Sequence, residues 1–109
     1  MFNWDRLAAQ KRPVVIVEGV FDCLIVPDIA MASFGKRLSD SQIERLVEAN
    51  IPAVLLVWDA DARLEAMDAA SRLSPLIPTS VFLLEEGDPN EVGEAYMRAV
   101  YDSWVSKSV

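Results

Sequence analysis

The stretch "VVIVEGVFDCLIV", residues 14–26, decides the fold. Four apolar residues, Val14 to Val17, run straight into Glu18 and Gly19, and a second apolar stretch of helical length follows at once. An unbroken apolar run predicts a strand covered on both faces, as in a parallel sheet. "AVLLVWDADA", residues 53–62, repeats the pattern and ends on Asp59 and Asp61. The two aspartates are two apart, so in extended backbone they point the same way. A parallel sheet places its ligand crevice outside the carboxyl ends of its strands. If the two strands are neighbours, three carboxylates meet there, and they repel one another unless something positive joins them.

Working outward, "DIAMASF" (28–34) and "TSVFLLEEG" (79–87) have strand length. Helices fill the gaps. In "SDSQIERLVEAN" (39–50), Ser39 is placed to cap, Gln42 follows three later, and Ile43, Leu46 and Val47 share a face. In "DARLEAMDAASRLS" (61–74), Leu64, Met67, Ala70 and Leu73 fall at helical spacing. In "DPNEVGEAYMRAVYDSW" (88–104), Val92, Tyr96, Ala99 and Val100 are placed to cover the sheet. Strand and helix alternate four times. The expectation is a Rossmann-type α/β domain over residues 13–104, with a four-stranded, mainly parallel sheet covered by helices. Residues 1–12 read as a lead-in and 105–109 as a tail.

A chain of 109 residues fits one domain, and 52% hydrophobic residues are enough for a core. Seventeen acidic residues against ten basic ones give a formal charge of -7, which argues against gripping nucleic acid by bulk charge alone. Without histidine there is no His-based triad or mixed Cys/His zinc site. The single Cys23 makes neither a disulfide framework nor a thiolate cage. A lone cysteine points to a reducing compartment, and no signal peptide or membrane-length apolar run is visible, so a cytoplasmic setting is expected. The chemistry left open is carboxylates holding a hard cation, Mg2+ or Mn2+, which orients phosphates and activates an oxygen nucleophile.

At this point the chain resembles a Toprim domain, the metal-binding module shared by topoisomerases, bacterial-type and phage DNA primases and some nucleases. "VEGVFD" is similar to the family's first motif and "WDADA" to its second. "SFGKRLSDSQIERL" resembles the primase segment in which a glycine loop leads into a helix, and "EEGDPNE" the aspartate–proline–acidic segment beside the site. "FNWDRLA" resembles the lead-in from an upstream primase subdomain. Ala60 and Leu64 stand where many of those primases carry glycine. The resemblance implies catalytic roles for Glu18, Asp59 and Asp61. It also implies a metal set of these three with Asp22 and Asp88. The expected function is Mg2+- or Mn2+-dependent nucleotidyl transfer in DNA replication, with the isolated domain inactive. Its partners would be DNA and nucleotides, together with upstream zinc-binding and downstream helicase or primase portions, and no membrane. A small Toprim nuclease and a non-catalytic nucleic-acid-processing scaffold are the alternatives.

Several residues carry two readings. Asp22 belongs either to the acidic site or to a helix start. Lys36 and Arg37, after Gly35, are candidates to touch phosphate or are solvated charges, and Arg63, after the aspartates, either meets a phosphate or pairs with Asp59. Asp88 holds a second ion or caps the last helix. Gly19 suits a close turn. Trp58 reads as sheet packing, Trp104 as cover for an edge or a contact to another domain, and Cys23 as a small core residue.

Overall fold

The computed structural model describes residues 2–33, 38–85, 87 and 89–108. Its sheet has four strands: β1 (Val14–Val17), β2 (Ala30–Ala32), β3 (Val54–Asp59) and β4 (Thr79–Leu84). They lie in the order β2-β1-β3-β4, and every neighbouring pair is parallel. The helices are α1 (Trp4–Ala8), α2 (Val20–Ile25), α3 (Asp40–Glu48), α4 (Arg63–Leu73), α5 (Pro89–Val92) and α6 (Glu94–Ser108). A 3-10 turn, Ala60–Ala62, joins β3 to α4.

Alternation along the strands divides the core in two. Val14 and Ile16, Leu56 and Trp58 bury on one face with Leu7 of α1, Ile43 and Leu46 of α3, and Ala66, Ala69 and Leu73 of α4. Val15 and Val17, Leu55 and Val57 bury on the other with Cys23 of α2 and Met97 and Trp104 of α6. Both faces are covered, which is why β1 and β3 are apolar without a break.

Local chemistry fixes the helix ends. Ser39 and Gln42 form a reciprocal capping box: Gln42 N–H donates to Ser39 Oγ at 3.2 Å, and Ser39 N–H donates to Gln42 Oε1 at 2.9 Å. Ile43 and Leu46 are buried, but Val47 turns outward. In α4 the buried face differs from expectation in part. Leu64 is 82% exposed and Met67 50%, while Leu73 is buried as expected, together with Ala62, Ala66 and Ala69. Those four recur at helical spacing, and the small alanines let α4 sit close on β3 and β4. Arg72 ties α4 to the start of α3, donating to the Leu38 carbonyl and to Asp40.

The lead-in is part of this fold. Asn3 adopts a left-handed conformation (φ 68°), and its Nδ2 donates to the carbonyls of Pro27 and Ala30. Phe2 makes an isolated antiparallel bridge to Ala32 at the outer edge of β2. The Arg45 guanidinium stands 4.5 Å from the Trp4 ring centroid, a cation–π contact between α1 and α3.

At the other end of the chain, Arg98 of α6 donates two hydrogen bonds to Asp28, at 3.0 and 2.8 Å. These bonds hold the Asp28 carboxyl below its ordinary range. A depressed folded pKa stabilises above the unfolded aspartate value, about 3.9, and that contribution disappears as pH falls through the lower folded value. Both side chains are two-fifths exposed, so screening keeps the effect small. The expected result is that Asp28→Asn lowers the melting temperature slightly at neutral pH. The gap from the parent should close as pH drops below about 4, measured by thermal melts across pH.

Among the described residues, no helix is long and apolar enough to cross a membrane.

Candidate site at the carboxyl edge of the sheet

The connection from β1 leads to one side of the sheet and β2 crosses back to β3, so the order reverses between β1 and β3. That reversal is where ligands of open α/β sheets bind. Glu18 follows the end of β1 and Asp59 ends β3, so both flank it. Glu18, Asp22 and Asp59 are half-buried, whereas Asp61 and Arg63 are exposed. Glu18, Asp22, Asp59 and Asp61 each take part in polar or electrostatic contacts of the fold. Lys36, Arg37 and Asp88 lie outside the described residues.

The expected metal centre is corrected here. Among the described residues, no group of three or more Cys, Asp or Glu side chains comes together to hold a metal ion. The Mg2+ or Mn2+ site of Glu18, Asp22, Asp59 and Asp61 is therefore withdrawn, and with it the metal-dependent nucleotidyl transfer built on it.

The geometry gives the reason. Extended backbone stops at Asp59, and Asp61 lies inside the 3-10 turn. At about three residues per turn, positions i and i+2 do not share a side, so the period-2 alignment of the two aspartates is lost. The β1–β3 register pairs Ile16 with Leu56, which puts Glu18 level with Trp58 and not with Asp59. Trp58 belongs to the opposite face from the one Asp59 alternates toward. Asp22 is carried into the first turn of α2.

A different acidic feature stands nearby. A hollow of about 350 Å3 opens outside the carboxyl ends of β3 and β4, with Asp59, Asp61, Glu85 and Glu91 on its walls. They come from a strand end, a 3-10 turn, the exit of β4 and α5, so they line the space without converging on one point. The sequence reading missed Glu85, because "LLEEG" looks like a strand running out into a polar turn. Its signal was position: Glu85 follows β4 as Glu18 follows β1.

Glycine use differs between the two strand exits. Gly19 has an extended φ of -112°, and an added Cβ would meet Asp22 Oδ2 only at 3.4 Å, so this turn does not depend on glycine. Gly87 has φ 72°, and an added Cβ would lie 3.2 Å from the Glu91 side chain. Left-handed backbone and a close neighbour together call for glycine there.

Other candidates are structural. Cys23 is fully buried and its thiol donates to the Ala30 carbonyl at 3.0 Å. Burial pushes the thiol up to about 11, which makes it a poor nucleophile. Trp58 is fully buried within the sheet, and Trp104 is buried with its Nε1 donating to Ser80 Oγ at 3.1 Å. Tyr101 donates to the Pro13 carbonyl at 2.7 Å and pins α6 to the start of β1.

Comparison with protein-family models, with curated proteins and with solved structures finds no match to this chain.

Proposed function

We propose that this chain is a Toprim-related domain that serves a DNA-handling protein as a docking part, with the carboxyl edge of its sheet as the working surface. The kinship is supported by the motif residues Glu18 and Asp59 at the exits of adjacent parallel strands. The docking role rests on one observation: four carboxylates line a single hollow at that edge. Concentrated negative charge draws guanidinium and ammonium groups and repels phosphate. In a chain of net charge -7, this favours a basic polypeptide segment as the occupant. Contact with DNA and nucleotides then falls to the adjoining portions of the larger protein.

The test is an NMR titration of the labelled chain at low ionic strength, once with a short arginine- and lysine-rich peptide and once with a short single-stranded DNA. The peptide is expected to shift the amides around Asp59, Asp61, Glu85 and Glu91, with the response fading as salt is added. The DNA is expected to leave them in place. A peptide that moves none of these amides, or a DNA that moves them as strongly, would overturn the docking role.

A further inference from the structure

The two edges of the sheet are treated differently. β2 is three residues long and its outer side is bridged by Phe2. β4 is six residues long, pairs with β3 in unbroken register, and reads TSVFLL, without charge, proline or glycine. Natural edges are usually blunted by charge, proline, a bulge or a cover. Among the described residues, no strand pairs with the outer side of β4.

The register identifies which backbone groups face outward. Val54 N–H donates to the Pro78 carbonyl at 2.9 Å, and Val54 pairs with Thr79. In a parallel ladder the even-numbered residues of β4 then bond to β3. The N–H and C=O groups of Thr79, Val81 and Leu83 point to the open side. Beside that edge runs an apolar trough of about 430 Å3 between β4 and α6, walled by Phe82, Tyr96, Val100 and Trp104, with Lys107 at one end.

We propose that this edge pairs with the same edge of a second copy, antiparallel about a two-fold axis through Val81, joining two sheets into one of eight strands. The strand is complementary to itself in that register. Thr79 faces Leu83 of the copy, Val81 faces Val81, and Leu83 faces Thr79, so all three outward-facing residues bond. Phe82 faces Ser80 of the copy, beside the Trp104 that Ser80 already binds.

Charge selects a copy over an unrelated strand. Tyr96 packs edge-on to Phe82 while Trp104 bonds Ser80, so α6 runs antiparallel to β4. Lys107, beyond Trp104, therefore stands at the start of β4, and the exposed Glu85 follows its end. The two-fold brings Lys107 of each copy to Glu85 of the other. Elsewhere two chains of charge -7 repel, and this uncharged strand is a place where they can meet.

The test is sedimentation over a concentration series, with amide hydrogen exchange at its two ends. The parent chain is expected to dimerise in the micromolar range, as suits a small interface. Val81 and Leu83 amides are expected to gain protection with concentration. Phe82 and Leu84, already bonded to β3, should be protected throughout. Lys107→Glu is expected to weaken dimerisation on the order of tenfold, since two exposed ion pairs become repulsive, and adding Glu85→Lys to it should restore the parent value. A monomer up to about millimolar concentration, or a dimer indifferent to both the single and the double variant, would overturn the proposal. Glu85 lines the carboxyl-edge hollow as well, so the peptide response of Asp59, Asp61 and Glu91 tests the docking role, while dimerisation and the Val81 and Leu83 amides test this pairing, and the two fail separately.

Discussion

Trp58→Ala is expected to destabilise the domain by about 3–5 kcal/mol, the range for emptying a fully buried tryptophan site. Trp58 is 0% exposed on the central strand β3, in one core with Leu56, Ala62, Ala66 and Leu73. A loss of that size takes much of the ~5–15 kcal/mol that holds a small domain together, and lowers the melting temperature by on the order of 20 °C. Trp58→Phe is expected to cost far less, within about 1.5 kcal/mol. It leaves a smaller void and removes the buried Nε1 donor, which has no hydrogen-bond partner among the described residues. Urea unfolding of the two variants measures both. Equal losses would show that the indole nitrogen is satisfied, or that the ring is less enclosed than it is here.

The second large effect separates the two faces of α4. Ala66→Leu is expected to cost about 1–3 kcal/mol, because a longer side chain has no room under a helix seated by its alanines. Leu64→Ala, at a position 82% exposed, is expected to change stability by less than about 0.5 kcal/mol. The opposite ranking in urea unfolding would mean that Leu64, Met67 and Ala70 form the buried stripe.

That helix shows where sequence stopped deciding. Residues 61–74 carry two stripes at helical spacing, and the one with larger apolar side chains is the one in solvent. Hydrophobicity favours Leu64 and Met67. What settles the matter is how closely the helix approaches β3 and β4, and nothing in the local sequence encodes that distance. The strands were readable because burial on both faces leaves no other composition for them: Val14–Val17 and Val54–Asp59 came out as expected. The α3 start was readable because Ser39 and Gln42 satisfy each other locally.

The carboxyl edge was legible only in part. That Glu18 and Asp59 follow strand-length apolar runs was readable; that β1 and β3 are neighbours was only a condition in the sequence, and the sheet order supplies it. The side on which each acid lies did not. "DAD" reads as a strand continuing for two residues, yet the chain turns at Ala60, and that one change takes Asp61 out of the strand alignment with Asp59. Glu85 lines the hollow from just past the end of β4, where the sequence shows only a polar stretch.

Every placement at the carboxyl edge depends on the all-parallel order of the sheet. Four inter-strand hydrogen bonds define that order: Val15 N–H to Ile29 O at 2.8 Å, Ser33 N–H to Val17 O at 2.9 Å, Val14 N–H to Ala53 O at 3.1 Å, and Val54 N–H to Pro78 O at 2.9 Å. Scalar couplings across hydrogen bonds, measured by NMR on the doubly labelled chain, observe each donor–acceptor pair directly. The expected result is a coupling from each of these amides to its named carbonyl. A Val14 amide coupled to any carbonyl other than that of Ala53, or reciprocal couplings of the antiparallel kind between β1 and β3, would contradict the fold and remove Glu18 and Asp59 from a common edge.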